Sequence, residues 1–162
     1  MKAGCAAFPA LFRFDAPISG GKGHHAPDHL VRVPRAYEQL VAWRVAHELA
    51  VSATRIVKRM PREDQFTIGN QLRRAAVSVP ANLVEGKASF GARSYLRYAT
   101  IALSSAAETE YLIRLARETD CLDAGAASEL ESLAWRSQGL IRRLVQGLKV
   151  HRKDTKSGKP AH

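Results

Sequence analysis

Cysteine is nearly missing from this chain: Cys5 and Cys121 are the only two in 162 residues, and they lie far apart. That excludes a disulfide framework and a paired Cys-x-x-Cys metal site, and it suits a reducing cytoplasm. Aromatic residues make up only 7% of the sequence, and no apolar run approaches the ~20 residues a membrane-spanning helix needs, so no membrane role is expected. With 11 glycines and no short repeat, collagen-like and low-complexity architectures are excluded as well. Acidic residues are outnumbered, 15 against 25 basic ones, for a formal net charge of +10. What is present is 46% apolar residues, enough for a real core, in a length that suits one domain with tails.

The positive charge is unevenly placed. Residues 1–36 hold five basic and two acidic side chains, and residues 150–162 hold four and one. The middle, 37–149, holds sixteen and twelve, so six of the ten net charges sit in the two ends. A basic chain attracts polyanions by Coulomb forces and counterion release, but the central part alone is only mildly basic. Residues 1–36 contain Pro9, Pro17, Pro27 and Pro34 together with the glycine- and histidine-rich patch from Gly20 to His25, without sustained periodicity. They are expected to be a poorly ordered extension. The patch lacks Walker spacing, and the short apolar stretch before Phe12 is followed at once by Arg13 and Asp15, which argues against an export signal. Residues 150–162 are expected to be a basic disordered tail.

Between these ends no strand alternation is evident, and helical periodicity recurs four times. In the first segment, about 37–60, Ala42, Ala46, Leu49, Ala53, Ile56, Val57 and Met60 share a face, and Pro61 closes the helix. The second, about 63–87, places Glu63 and Asp64 in its first turn, where the helix dipole favours acids. Pro80 falls inside it and predicts a kink, with a full break at Ser78 as the alternative; Ser78 is available to bond a freed backbone group. The third, about 92–119, carries two apolar seams rich in small residues, a face wide enough for more than one neighbour. The fourth, about 124–149, turns Leu130, Leu133, Ala134, Ile141, Leu144, Val145 and Leu148 inward. The expected fold is all-α, an antiparallel up-down-up-down four-helix bundle with a proline-kinked second helix.

Within the second helix, Ile68, Leu72, Ala75, Val79 and Leu83 fall on one seam, and Gln71, Arg74, Ser78, Asn82 and Glu85 form a polar stripe beside it. A polar row so close to an apolar seam is expected to be partly buried and to need partners. Glu108 projects into the second seam of the third helix. It reads either as a general acid or metal ligand, or as a structural partner for Arg74 or another member of the stripe, and the structural role is the expectation.

Catalytic patterns are lacking. A di-metal site in a bundle needs Glu-x-x-His pairs, but Arg44 precedes His47 at that spacing and Leu148 precedes His151. No zinc-protease motif, nucleophile elbow or phosphate-cradling loop is present, so neither an enzyme, a cofactor nor a small-molecule substrate is expected. The cations Arg44, Arg55, Lys58, Arg59, Arg73, Arg93 and Arg97 are candidate phosphate contacts, although a solvated helix face would carry the same residues. Trp43 and Trp135 are expected as core or subunit-interface anchors rather than base-stacking platforms.

The stretch Gln71-Leu-Arg-Arg-Ala-Ala-Val-Ser-Val-Pro-Ala-Asn82, with Leu40-Val-Ala-Trp43, Ala46-His-Glu-Leu49, Met60-Pro61, Glu85-Gly86 and Ile101-Ala-Leu-Ser-Ser105 plus Glu108, resembles the four helix bundle protein family. That family includes proteins encoded by intervening sequences of bacterial 23S ribosomal RNA genes, and the accessory variability determinant of diversity-generating retroelements is a relative. The resemblance covers about 37–149. It implies a homopentamer and, by way of the retroelement relative, a basic barrel that binds RNA or DNA and a reverse transcriptase. Leu103 and Lys87-Ala-Ser89 depart from the family pattern, where a basic residue and an aromatic-Gly-basic run are common. Weaker nucleic-acid contact would follow if those positions make it.

Overall fold

The computed structural model describes residues 35–157, with side chains as far as His151. The expected N-terminal extension before residue 35 and the last five residues of the C-terminal tail lie outside the described residues. Every regular element that is described is helical: α1 (Val41–Val57), α2 (Arg62–Asp64), a π-helical turn (Gln65–Gly69), α3 (Asn70–Ala88), α4 (Ala92–Glu118) and α5 (Ala124–Ser157). The π turn joins α2 to α3, so four rods result, as the periodicity requires.

The starts and stops have local causes. α1 begins at Val41 rather than near residue 37, because Leu40 is extended (φ −78°, ψ 113°) and residues 36–39 form a turn. In that turn Glu38 N donates to Arg35 O while Arg35 N donates to the Glu38 carboxylate. At its other end, the Gln65 amide donates to Met60 O at 2.7 Å and to Lys58 O at 3.4 Å, covering carbonyls that α1 leaves open. Gly91, at φ +89°, supplies the N-cap of α4 in a conformation costly for other residues. Asp123 Oδ1 accepts from Ala126 N at 2.9 Å at the start of α5.

Pro80 is buried inside α3, and the helix runs through it without interruption, so the alternative of a break at Ser78 does not occur. Ser78 does not turn its hydroxyl to a freed backbone group either. It bonds instead to Ser105 and Asn82.

α1 and α4 each pack against both α3 and α5, which places α1 and α4 diagonally across the bundle. The pairings along α3 and α4 run in opposing order: Ser78 meets Ser105, and further along α3 the Gly86 position abuts Tyr95 and Tyr98, earlier in α4. α4 and α5 behave likewise, Arg117 meeting Glu131 and Ala106 meeting Gln138. The core divides into two layers along the rods. One holds Leu49, Ile56, Met60, Leu72, Ile113 and Leu130; the other holds Ala46, Val79, Leu83, Leu96, Ala106 and Ile141. Alanine is as common as leucine in the first layer and makes up half of the second, and Ala46, Ala53, Ala76, Ala99, Ala102, Ala106, Ala116, Ala127 and Ala134 are fully buried.

The expected inner seams are the buried ones, except at the outer row of the second seam of α4. There Ser105 and Leu112 point inward while Ile101 and Glu108 are exposed. The final helix is longer than expected. It continues to Ser157, eight residues into the segment expected to be disordered. Among the described residues no helix is long and apolar enough to cross a membrane.

Candidate nucleic-acid interface

The polar stripe of α3 divides in two. Its middle is a bonded network: Asn82 Nδ2 donates to Ser78 Oγ at 3.0 Å and to Ser78 O at 2.8 Å, and the Ser78 and Ser105 hydroxyls lie 3.0 Å apart. Thr109, fully buried, donates from Oγ1 to Ser105 O at 2.7 Å and extends the polar contacts one turn along α4. This ties α3 to α4 with groups that need each other, since a half-buried amide or hydroxyl that loses its partner keeps its desolvation cost. Asn82→Ala should therefore lower stability by about 1–2 kcal/mol in chemical denaturation. A midpoint equal to that of the parent would mean that water replaces the amide without loss.

The ends of the stripe do not behave as expected. Gln71, Arg74 and Glu85 are exposed, and so is Glu108, with no ion pair between Arg74 and Glu108. Angle contributes for Arg74, Glu85 and Glu108 but does not sort the row alone, since Gln71 is exposed although it lies nearer the buried face than the bonded Ser78. At 100° per residue Arg74 and Glu85 lie roughly 130–155° from the middle of the buried face of α3, and Glu108 about 110° from that of α4. Asn82, at about 75°, is close enough to reach inward. These charged side chains are thus exposed on α3 and α4, as are the apolar Val77 and Ile101, which are 46% and 38% exposed.

All seven candidate phosphate contacts are exposed, but the fold does not gather them into one patch. Arg55, Lys58 and Arg59 on α1 line a surface hollow of about 460 Å³ with Glu129 of α5. Arg59 also borders an adjoining hollow of about 490 Å³, walled by Met60, Pro61, Leu122 and Asp123. Arg73 on α3 flanks Leu72 of the same core layer and donates to Asn70 Oδ1 at 3.0 Å. Arg44, Arg93 and Arg97 belong to the opposite layer, flanking Trp43 and Leu96, on the two diagonal helices. Arg44 Nε donates to Glu38 O at 2.8 Å, which orients that guanidinium. Spacing along α1 alone separates Arg44 from Arg55, Lys58 and Arg59, but which of these ends Arg73, Arg93 and Arg97 join depends on how the rods pack.

Lys87 stands at the Arg93 end too, with Nζ 5.6 Å from the centre of the Tyr95 ring. Burial of that ring pushes the Tyr95 hydroxyl's pKa up. Trp43 is half-buried and stacked on His47 (4.9 Å between ring centres, 13° between planes), with Tyr37 tilted against its other side. Trp135 is not a core residue: it is 75% exposed beside Glu110, Arg114 and Glu131. Its surface position leaves the subunit-anchor role and excludes the core one. Among the described residues no group of three or more His, Cys, Asp and Glu side chains is placed to hold a metal ion.

These four rods, with polar cross-bonds between neighbours and cations displayed outward, define an all-helical bundle protein. The profile of the 23S rRNA-intervening sequence protein family matches residues 38–143, and the chain belongs to that family. Among solved structures, it is similar to a protein of unknown function of the S23 ribosomal protein family from Bacteroides thetaiotaomicron. The two are 22% identical with a TM-score of 0.62, over 65% of this chain and 96% of that one, a likeness of fold. None of the curated proteins matches the chain significantly.

Proposed function

We propose that the chain is a non-catalytic, self-associating bundle that serves as a nucleic-acid-binding accessory protein in the cytoplasm, holding RNA or DNA phosphates with its surface cations. The observation that carries this reading is the exposure of all seven candidate cations at both ends of the rods. Self-association is supported by the exposed apolar side chains Val77 on α3 and Ile101 on α4, on helices that also expose Arg74, Glu85 and Glu108. Apolar side chains together with charges of both signs are what a side-by-side contact between copies requires. A ring, pentameric by family resemblance, would repeat two modest patches into continuous positive rims, and multivalency strengthens such contacts without new chemistry. A reverse transcriptase is the protein partner that the resemblance implies.

Binding should fall steeply with salt and show little base preference, because phosphates rather than base edges are read. Fluorescence anisotropy with labelled RNA and DNA should show a loss of roughly a hundredfold or more between 50 and 200 mM salt. Light scattering should give a mass several times that of one chain. Salt-insensitive binding, or none at 50 mM salt, removes the reading. A second reading, a scaffold for another protein, is favoured by Trp135 and Phe90, which are 75% and 100% exposed. It requires a defined protein partner that co-purifies and survives nuclease treatment.

A further inference from the structure

We infer that the C-terminal part of α5 is a basic helical arm that lies along nucleic-acid phosphates, an element beyond residues 38–143 that the family profile matches. The inference rests on the nucleic-acid reading above and names the segment that makes the dominant contact.

The last core layer includes Ala42, Leu96 and Val145, with Leu40 and Leu148 packed against it, and Lys149, Val150 and His151 beyond it are exposed. Yet the helix continues to Ser157. The nine residues from Lys149 to Ser157, roughly 13 Å of rod at about 1.5 Å per residue, therefore continue beyond that last layer. The family match ends at residue 143, so this projection is not needed to build the shared fold.

Charge along α5 is strongly polarised. Glu129 and Glu131 are the only ionisable residues from Ala124 to Trp135, whereas from Arg136 to Ser157 there are seven Lys and Arg residues against the single acid Asp154. The helix dipole favours cations only within about the last turn, so it does not account for six turns of them. Arg142, Gln146 and Lys149 are exposed at spacings of four and three, and the same spacing places Lys153 and Lys156 in register on the same rod. The arm leaves the bundle at the end where Arg44, Arg93 and Arg97 stand. It thus lengthens a cationic end that already exists.

The chemistry of the arm selects its occupant. From Lys149 to Ser157, Val150 is the only apolar residue, so the arm lacks the Trp, Phe and Leu face with which a helix enters a membrane interface. It equally lacks the i, i+3, i+4, i+7 apolar anchors by which a helix fills a protein groove. A closely spaced line of phosphates matches a straight row of cations.

The test uses the full chain with fluorescein-labelled duplex DNA and single-stranded RNA, measured by anisotropy across a salt series. The variant Lys149→Gln/Lys153→Gln/Lys156→Gln keeps good helix formers and touches no core residue, so circular dichroism and melting should match the parent. Its affinity should drop about tenfold or more near 100 mM salt, and the slope of log affinity against log salt should become shallower by about two to three. The variant Arg62→Gln/Arg114→Gln/Arg117→Gln removes the same charge from the bundle body and should change the slope by less than about one. Equal effects of the two variants would reduce the arm to net charge alone and overturn the inference. If the parent binds but the arm variant binds equally well, the arm inference falls and the accessory reading stands; if the parent does not bind, both fall. Tighter binding to phosphatidylserine vesicles than to either nucleic acid would also overturn it.

Discussion

Gly86→Val should lower the melting temperature by roughly 10 °C, about 3 kcal/mol for a domain of this size. A Cβ at position 86 would lie 2.8 Å from Tyr95 Cδ2 and 3.0 Å from Tyr98 Cβ, closer than real atoms approach. The Tyr95 ring can swing, but Tyr98 Cβ moves only with the backbone of α4. Two further methyl groups enlarge the clash, and Val is also a weaker helix former than most residues. Gly86→Ala separates the causes. It carries the first clash but gains about 0.5–1 kcal/mol of helix propensity, so its loss should be clearly smaller. Thermal unfolding by circular dichroism decides the matter. A Gly86→Val melting point within about 2 °C of the parent would show that α3 and α4 can part at this end without loss.

Ile113→Ala should cost about 3–4 kcal/mol, because Ile113 is fully buried in the layer with Leu49, Leu72 and Leu130. Its neighbours Leu49, Leu72 and Leu130 are themselves fully buried on fixed helices, so they close the space left behind only in part. Ile101→Ala is the matched control: the same chemical change on the same helix, at a residue 38% exposed, should cost less than about 1 kcal/mol in the isolated chain. Denaturant titration of both variants gives the difference directly. If the two losses were equal, burial in the bundle would not be what sets them.

Much of the fold was legible because apolar spacing at three and four residues is a direct image of a buried helix face. Residues 63–87 and 92–119 anticipate the rods at Arg62–Ala88 and Ala92–Glu118 to within a residue. Pro61, Gly91 and Asp123 mark ends through backbone chemistry that sequence displays. What could not be read was set by neighbours. The start of α1 depends on a turn in which Glu38 and Arg35 bond each other. The far end of α5 carries no apolar periodicity that would mark it as helix.

Of the polar row only Ser78 and Asn82 form the expected network, and the arrangement of the cations was not legible at all from single helices on α3 and α4. The stripe on α3 was visible as a row, yet rows have width, and a few tens of degrees decide whether Asn82 bonds inward or Arg74 points out. The pairing of Ser78 with Ser105 joins residues 27 apart, a relation that no single-helix projection contains. That Arg73 shares an end with Arg55, Lys58 and Arg59 while Arg93 and Arg97 share the other with Arg44 follows from the opposing order of neighbouring rods, a property of the packed whole.

An interior so rich in alanine has a consequence for how this protein holds together. A buried methyl group gives up no rotamer freedom on folding but also removes little apolar area from water. Cohesion is therefore spread thinly over long rods, with the leucines and isoleucines supplying the larger increments. Drift in the interior is permitted mainly toward residues no bigger than those already there, while the outward faces stay open to change.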